Sequence, residues 1–468
     1  MSQKNIVALG RTKNELVKLF ITVFLPLCFF FVPVNDSFTP QIRLFFVITL
    51  IAIISFATDS LPQMGVALSL PIIYVLTGLA PGQVAFAPWL GSIPWMMIGG
   101  LMLALVLEKT GLLKRIAFLC ILATGASYKG IIWGITIAGV IINIMIPGKG
   151  VIPMAALSYG ICKALDLKPG KASGGITLAA AMGSIMPILY LFAPGGIMIP
   201  LGIGASAGGP KTVGWLEIFT NNVPMVFYTV LMAFVVTLMF KPEKPISGKD
   251  YFQNELSAMG SMSFDEKKSL FVTLILITFL ATGKLHGIDA GWGFAFIPCL
   301  FFLPGMDLVE NKDLPKMNWG FIFFITACLS IGNVAGAMGI GKMIAAWALP
   351  LLEGRSFYVF YLFVWLLFFV MNFLMTPLAM LAAFTQPLTE IAISLNINPM
   401  TLYYVILNGA DQILLPYEYA LYLIFFSFGM VRVSDFAKLM SVKVVVNFAL
   451  VFGLLIPYWN LIGLIPMP

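Results

Sequence analysis

Charge is what this chain has least of. Only 10% of its 468 residues are Asp, Glu, Lys or Arg, 60% are hydrophobic, and the mean hydropathy is +0.99. A soluble chain carries roughly a quarter charged residues, so the deficit excludes a soluble globular fold and predicts a polytopic membrane protein. Histidine is nearly missing as well. The single His286 lies beside Lys284 and Asp289, which argues against histidine catalysis and multi-histidine metal sites. The five cysteines, Cys28, Cys120, Cys162, Cys299 and Cys328, stand alone in apolar sequence without a CxxC. They read as structural thiols rather than as disulfides or metal ligands. No small-residue cleavage site follows the first apolar segment, so no removed signal peptide is expected. Alternating strand patterns are absent, which leaves the helical class over an outer-membrane barrel. The net charge of +7 is not gathered into a basic stripe with interleaved aromatics, so no nucleic-acid partner is expected.

What is present is apolar sequence in long runs: Leu16 to Val34, Leu44 to Ala57, Val223 to Phe240, Phe357 to Leu374 and Val442 to Tyr458. All but Leu44 to Ala57 approach the ~20 residues a helix needs to cross the hydrocarbon core. About ten to twelve crossings or half-crossings are predicted. Lys4, Arg11, Lys13 and Lys18 precede the first run and predict a cytoplasmic N-terminus. The longest polar stretch, Lys241 to Lys268, contains Pro242, Pro245 and Gly248. It reads as a linker (241–268) between a first repeat (1–240) and a second (269–468).

Two interruptions read as one device written twice. The first is Asn143-Ile-Met-Ile-Pro147-Gly148-Lys149-Gly150 and the second Asn372-Phe-Leu-Met-Thr376-Pro377-Leu378. Each is followed by an apolar segment ending in a near-match, Leu165-Asp166-Leu167-Lys168-Pro169 and Leu395-Asn396-Ile397-Asn398-Pro399. Upstream, Leu101, Gly111, Lys114, Ile116 and Ala117 match Leu329, Gly339, Lys342, Ile344 and Ala345 at one constant offset. Downstream, Ser184-Ile-Met-Pro187-Ile-Leu-Tyr190 is similar to Gln412-Ile-Leu-Leu-Pro416-Tyr417-Glu418-Tyr419. A Pro/Gly break at membrane depth leaves backbone groups that lipid cannot satisfy. It is tolerated where it lines a cavity, and breaks at matched places in two halves point to a transporter's substrate site. The expected architecture is an all-α polytopic membrane protein with two inverted-topology repeats. Re-entrant hairpins are expected around 147–167 and 377–397, and broken helices around 187–196 and 416.

Candidate site residues follow from the chemistry of such breaks. A helix fragment offers free N–H groups and a positive dipole end to a carboxylate or sulfate. Gly148 and Gly150 allow backbone to approach a ligand closely. Lys149 is a cation at a depth where it must pair, face water or snorkel; it attracts an anion, or it lies shallower and reaches solvent. Glu418 and Asp411 are candidate coupling or charge-partner groups, with an interfacial or loop position as the alternative. Asn143 and Asn372 are candidates for substrate binding or for interhelical hydrogen bonding. Pro147, Thr376, Pro377 and Leu378 complete the substrate-binding set. Gly99-Gly100 and Gly336-Ala337 read as close helix contacts.

The order of these features resembles the divalent anion/sodium symporter family. The stretches that carry the resemblance are Asp59-Ser-Leu-Pro-Gln-Met-Gly-Val-Ala-Leu through Leu76-Thr-Gly-Leu, Lys109-Thr-Gly-Leu-Leu-Lys-Arg-Ile-Ala, and Met317-Asn-Trp-Gly-Phe-Ile-Phe-Phe through Met338-Gly-Ile. The resemblance implies a homodimeric secondary carrier of dicarboxylates, citrate or sulfate in the plasma membrane, moving its site like an elevator. In that family each hairpin tip bears Ser-Asn-Thr, which binds sodium and a substrate carboxylate. Here those positions fall near Ile146-Pro147-Gly148 and Thr376-Pro377-Leu378, and only Thr376 keeps a hydroxyl. The expected function is therefore transport of a small organic dianion with no resident cofactor. Lys149 would stand in for sodium, and proton coupling or anion exchange would replace sodium coupling. A sodium-coupled sulfate or citrate carrier is the alternative. An integral membrane enzyme lacks the convergent histidines, cysteines or paired carboxylates it needs, and a channel lacks a filter motif or charged ring.

Overall fold

The computed structural model describes residues 13–58, 60–352 and 354–465; Lys4, Arg11 and Asp59 lie outside the described residues. Among those described there is no β-strand, and the chain runs as helices divided by short breaks. Among the described residues, five helices are long and apolar enough to cross a membrane: Ser92–Lys109, Tyr128–Met145, Lys171–Leu189, Trp319–Ala337 and Val433–Leu461. The pair Trp215–Asn221 and Val223–Met239 is apolar enough to make a sixth when taken together, and it is bent by 71° at its break. Shorter apolar helices, among them Pro40–Phe56, Gln63–Leu76, Val151–Ala164 and Phe357–Met371, run between them.

Two series of helices flank the central polar stretch. The first is α1 (Ser92–Lys109), α2 (Leu112–Ala123), α3 (Tyr128–Met145), α4 (Val151–Ala164), α5 (Lys171–Ile185), α6 (Met198–Gly204) and α7 (Val226–Met239). The second is α8 (Trp319–Ala337), α9 (Ile340–Leu352), α10 (Phe357–Met371), α11 (Pro377–Ser394), α12 (Pro399–Ala410), α13 (Ala420–Ser427) and α14 (Val433–Leu450). Local chemistry sets the boundaries. Ser127 caps α3 by accepting from the Gly130 N–H, and Asn398 caps α12 by accepting from the Met400 N–H. Pro377 and Pro399 occupy first helical positions, where the missing N–H costs nothing.

The near-matching turns after α4 and α11 share a backbone conformation. Asp166 has φ 49° and Asn396 has φ 56°, both left-handed. Asp and Asn tolerate that region because their short polar side chains bond locally. Gly111 and Gly339, which open α2 and α9, also share positive φ, 81° and 70°. At these two pairs of positions the sequence match is also a match of backbone conformation.

Packing between the halves is reciprocal. Gln63–Leu76 packs along α8 of the second series, while Ala290–Phe296 packs along α1 of the first. Likewise α13 packs on α4, and α6 packs on α11. At the α1 crossing, a side chain on Gly99 would collide with the backbone carbonyl of Phe294. Within each half, the helix before the break crosses the next but one closely, α3 on α5 and α10 on α12. A Cβ on Gly183 would lie 2.6 Å from the Thr136 carbonyl oxygen, and one on Gly409 would lie 2.9 Å from that of Trp365.

The stretch expected as a linker is folded. It carries the helix Lys249–Ala258, whose Phe252 is fully buried and packs its ring 5.4 Å from that of Phe118. Arg115 of α2 grips Glu266 through two hydrogen bonds, of 2.7 and 3.0 Å. Buried Glu266 keeps its charge because that guanidinium and the Ser263 N–H together outweigh the cost of burial.

Candidate functional site

The break between α3 and α4 is a tight turn built around one amide. Gly148 has φ 71°, a conformation glycine adopts without cost. Its N–H donates to Asn143 Oδ1 at 3.1 Å. Asn143 Nδ2 donates to the carbonyls of Gly139 (3.0 Å) and Ser184 (2.9 Å), with a longer contact to Gly183. Both polar atoms of Asn143 are thereby engaged, and the residue ties the break to the end of α5. Asn372 repeats the device. Its Nδ2 donates to Gln412 (2.9 Å), Ala410 (3.2 Å) and Gly409 (3.3 Å) at the end of α12. Its Oδ1 is buried and has no partner.

Lys149 projects from the first turn over the ring of Phe321 on α8, with Nζ 4.0 Å from the centroid. It is half-buried and, among the described residues, has no carboxylate partner. The ammonium lines a cavity of about 390 Å³ shared with Glu108, Lys109, Asp313, Lys316 and Asn318. A second cavity of about 310 Å³ continues along α4, and Glu108 and Pro153 line both. At the mouth, Asp313 accepts from Lys316 at 2.7 Å, from the Glu310 N–H at 3.1 Å and from Lys109 at 3.2 Å. Those three partners, Lys316 first, hold its carboxyl well below the usual carboxylate range. With Asp313 engaged by both neighbouring lysines, Lys149 is the cation of this cavity without an acidic partner.

The other first-break candidates serve the turn. Pro147 and Gly150 are buried, and a Cβ on Gly150 would meet Ile142 Cγ2 at 2.7 Å. Glycine there permits packing against the chain's own helix. At the second break, the half-buried Thr376 caps α11 through a long bond from the Ala379 N–H (3.4 Å), Pro377 is buried and Leu378 is half-buried. Phe373 and Leu374 of the same turn are 41% and 69% exposed. The second break is thus apolar at its apex, and Thr376 supplies its side-chain hydroxyl.

Of the two candidate coupling or charge-partner groups, Glu418 is engaged by backbone and Asp411 by a lysine. Glu418 is buried, and its two carboxylate oxygens accept from the N–H groups of Leu414 (3.0 Å) and Leu415 (2.9 Å). It satisfies the donors that the α12 break exposes. Asp411 pairs instead with Lys443 of α14 at 2.6 Å, and Lys443 also donates to the Asp411 carbonyl. Lys443 is 0% exposed and Asp411 5%.

Sequence reasoning missed Lys443, although a lone lysine inside Val442 to Tyr458 was a legible signal. Phe321 was missed as well, and no local pattern distinguishes it from the phenylalanines around it.

Around the Lys443 pair runs a polar lane. Trp365 Nε1 donates to Asn447 Oδ1 (2.9 Å), Asn447 Nδ2 to Asn408 Oδ1 (2.8 Å), and Gln412 Nε2 to the Asn408 carbonyl (2.7 Å). Tyr228 reaches Gln412 Oε1 and the Lys443 carbonyl, both at 3.3 Å.

Twin broken helices, each fastened by an asparagine and each carrying buried charge close by, define the class of multi-pass membrane transporters. A profile of the family described as "Sodium:sulfate symporter transmembrane region" matches residues 13–465, and the chain belongs to that family. It is 24% identical over 382 residues to the sodium-dependent dicarboxylate transporter SdcS of Staphylococcus saprophyticus, across 74% of this chain and 72% of that one. It is 23% identical to the chloroplastic dicarboxylate transporter 1 of Arabidopsis thaliana, across 67% of this chain and 58% of the relative. A membrane protein of Cupriavidus necator is 25% identical across 53% of this chain, which spans half the length of that relative. The fold is that of the Alcanivorax borkumensis YdaH transporter, with TM-score 0.56, 14% identity, and coverage of 97% of this chain and 99% of that one. Neisseria gonorrhoeae MtrF shares it at TM-score 0.56 and 13% identity, with coverage of 94% and 93%.

Proposed function

We propose that the protein is a secondary active transporter of small organic dianions of the succinate, malate and 2-oxoglutarate class. The observation that carries this reading is Lys149, an ammonium without an acidic partner at a helix break, stacked on Phe321 in a charged cavity. The first N–H groups of α4 have no intrahelical acceptor, so a carboxylate placed there meets backbone donors, the positive helix end and the ammonium together. The second carboxylate is met by the α11 end of the other break, with Thr376 adding its hydroxyl. Alternating access follows from the two series acting as inverted repeats, with each break-bearing part moving against its scaffold. A homodimer in the plasma membrane, with a cytoplasmic N-terminus, is part of the same reading. The names of the staphylococcal and Arabidopsis relatives support dicarboxylates as the cargo.

The test is uptake of succinate, malate, citrate and sulfate into proteoliposomes, under a sodium gradient, a proton gradient, or with counter-anion inside. Saturable uptake of the C4 dicarboxylates is expected. Transport of sulfate or citrate alone, driven by sodium, would support the alternative of a sodium-coupled sulfate or citrate carrier. Transport of none of the four would overturn the assignment.

A further inference from the structure

The Asp411–Lys443 pair lies away from the Lys149 cavity and outside the substrate reading, yet it has the chemistry of a coupling site. An ion pair this deep loses most of its hydration, and attraction offsets that loss only if the remaining lone pairs are satisfied. They are not. Asp411 Oδ2 and the Asp411 carbonyl hold the ammonium, but Asp411 Oδ1 is buried without a partner. The Asn372 carboxamide lies against the backbone on both sides of Asp411, donating to Ala410 and Gln412, and its Oδ1 is also buried and unpartnered. A third unpartnered atom is the hydroxyl of Tyr422, whose ring centroid lies 5.9 Å from Lys443 Nζ. Among the described residues, then, the carboxylate of a buried ion pair and the carboxamide braced on its flanking backbone each keep an acceptor without a donor, and Tyr422 beside the ammonium keeps a free hydroxyl.

We propose that Asp411 is the proton-coupling site of this carrier, taking a proton on Oδ1 from water on one face and releasing it to the other. The step is carboxylate plus proton giving carboxylic acid; one O–H bond forms and none other breaks. The new O–H is a donor in a cluster whose unfilled side-chain positions are the Asn372 acceptor and the Tyr422 hydroxyl. A metal cation meets the same oxygens but also the ammonium on the same carboxylate, and like charges at such range repel strongly in a medium poor in water. Lys443 stays charged throughout. When Asp411 is protonated the ammonium keeps the Asp411 carbonyl and the rings of Tyr228 and Tyr422, each with its centroid 5.9 Å away. The neutral pair becomes a net cation, which favours carriage of a dianion. The ionisable side chains facing the pair are Tyr228 from α7, with Tyr419 and Tyr422 at the start of α13. Glu418 is held by backbone donors. Asn372 belongs to the break before α11, so protonation acts on the α12 break and on the neighbouring turn through one residue.

This inference deepens the transport reading and rests on it only for the direction of coupling. Infrared difference spectra of the purified full-length protein between alkaline and acid pH provide a substrate-free test. We expect a buried protonated-carboxyl band that is lost in Asp411→Asn and kept in Asp313→Asn. In proteoliposomes, an inward proton gradient should drive succinate accumulation in the wild type, and Asp411→Asn should abolish that accumulation. If Asp411→Asn does not fold, Asn372→Leu serves: removing the acceptor should shift the band and lower its titration midpoint by about one pH unit. A band that survives Asp411→Asn, a midpoint indifferent to Asn372→Leu, or succinate uptake driven by sodium and indifferent to the proton gradient would each overturn the proposal. A wild type that transports none of the dicarboxylates but shows the Asp411 band overturns the cargo assignment and leaves the proton site standing.

Discussion

Lys149 and Lys443 are both cations withdrawn from bulk water, and they are stabilised differently. Lys443 has a carboxylate at 2.6 Å, whereas Lys149 has an aromatic face and a cavity. Only the second arrangement leaves the charge available to a ligand. The asparagines divide in the same way. Asn143 uses both of its polar atoms on backbone, while Asn372 leaves Oδ1 free. Asn143→Ala should therefore destabilise more than Asn372→Ala. Losing the Asn143 brace should cost about 1–3 kcal/mol, because buried backbone partners are left unmet. Thermal unfolding of both variants in detergent measures the order, and the reverse order would contradict it. At the cavity mouth, the depressed Asp313 contributes stability that is present above the unfolded-state carboxylate range and is lost as pH falls through its folded value. The melting-temperature gap between wild type and Asp313→Asn should be widest near neutral pH and should close in strong acid. A gap that does not vary with pH would disprove the role of its charge. Lys149, Asn143 and Asn372 were legible in the sequence because polar side chains are rare in apolar runs. The partners of Asp411 and Glu418 were not, since they depend on which helices cross.

At the scale of elements, the breaks work because neighbouring helices come close enough to receive them. Asn143 reaches the end of α5 only because Gly139 and Gly183 let α3 and α5 approach; a Cβ on Gly139 would lie 2.5 Å from the Gly183 carbonyl carbon. Gly183→Ala should overpack that crossing, with a loss of about 1–3 kcal/mol. A melt of purified Gly183→Ala decides this, and unchanged stability would show that the crossing yields freely. Gly160, whose added Cβ meets nothing within 4 Å, is the matched control and should tolerate alanine. The matched breaks and the Asp166/Asn396 turns could be read from sequence, because Pro, Gly and Asx residues set backbone locally. The helix Lys249–Ala258 was hidden in a polar stretch by its prolines and charges. What holds it is Phe252, a single buried ring in the helix.

For the whole molecule, the reciprocal packing of the two series makes each half part of the other's surroundings. Gln63–Leu76 lies on α8 and Ala290–Phe296 on α1, and the helix after each second break lies on the opposite half's α4 or α11. Composition alone settled the membrane class, and the duplicated breaks suggested the two-part plan. The long-range pairs that interlock the halves have no local signature, so sequence could not supply them. The account places the anion at the first break, held by an ammonium that no carboxylate claims. Its most direct test is succinate binding to purified wild type, Lys149→Ala and Lys149→Arg, measured by calorimetry at one salt concentration. Loss of a charge-assisted contact should weaken binding by about 10- to 100-fold in Lys149→Ala, and Lys149→Arg should restore most of it. Equal affinity in all three proteins would contradict the central claim.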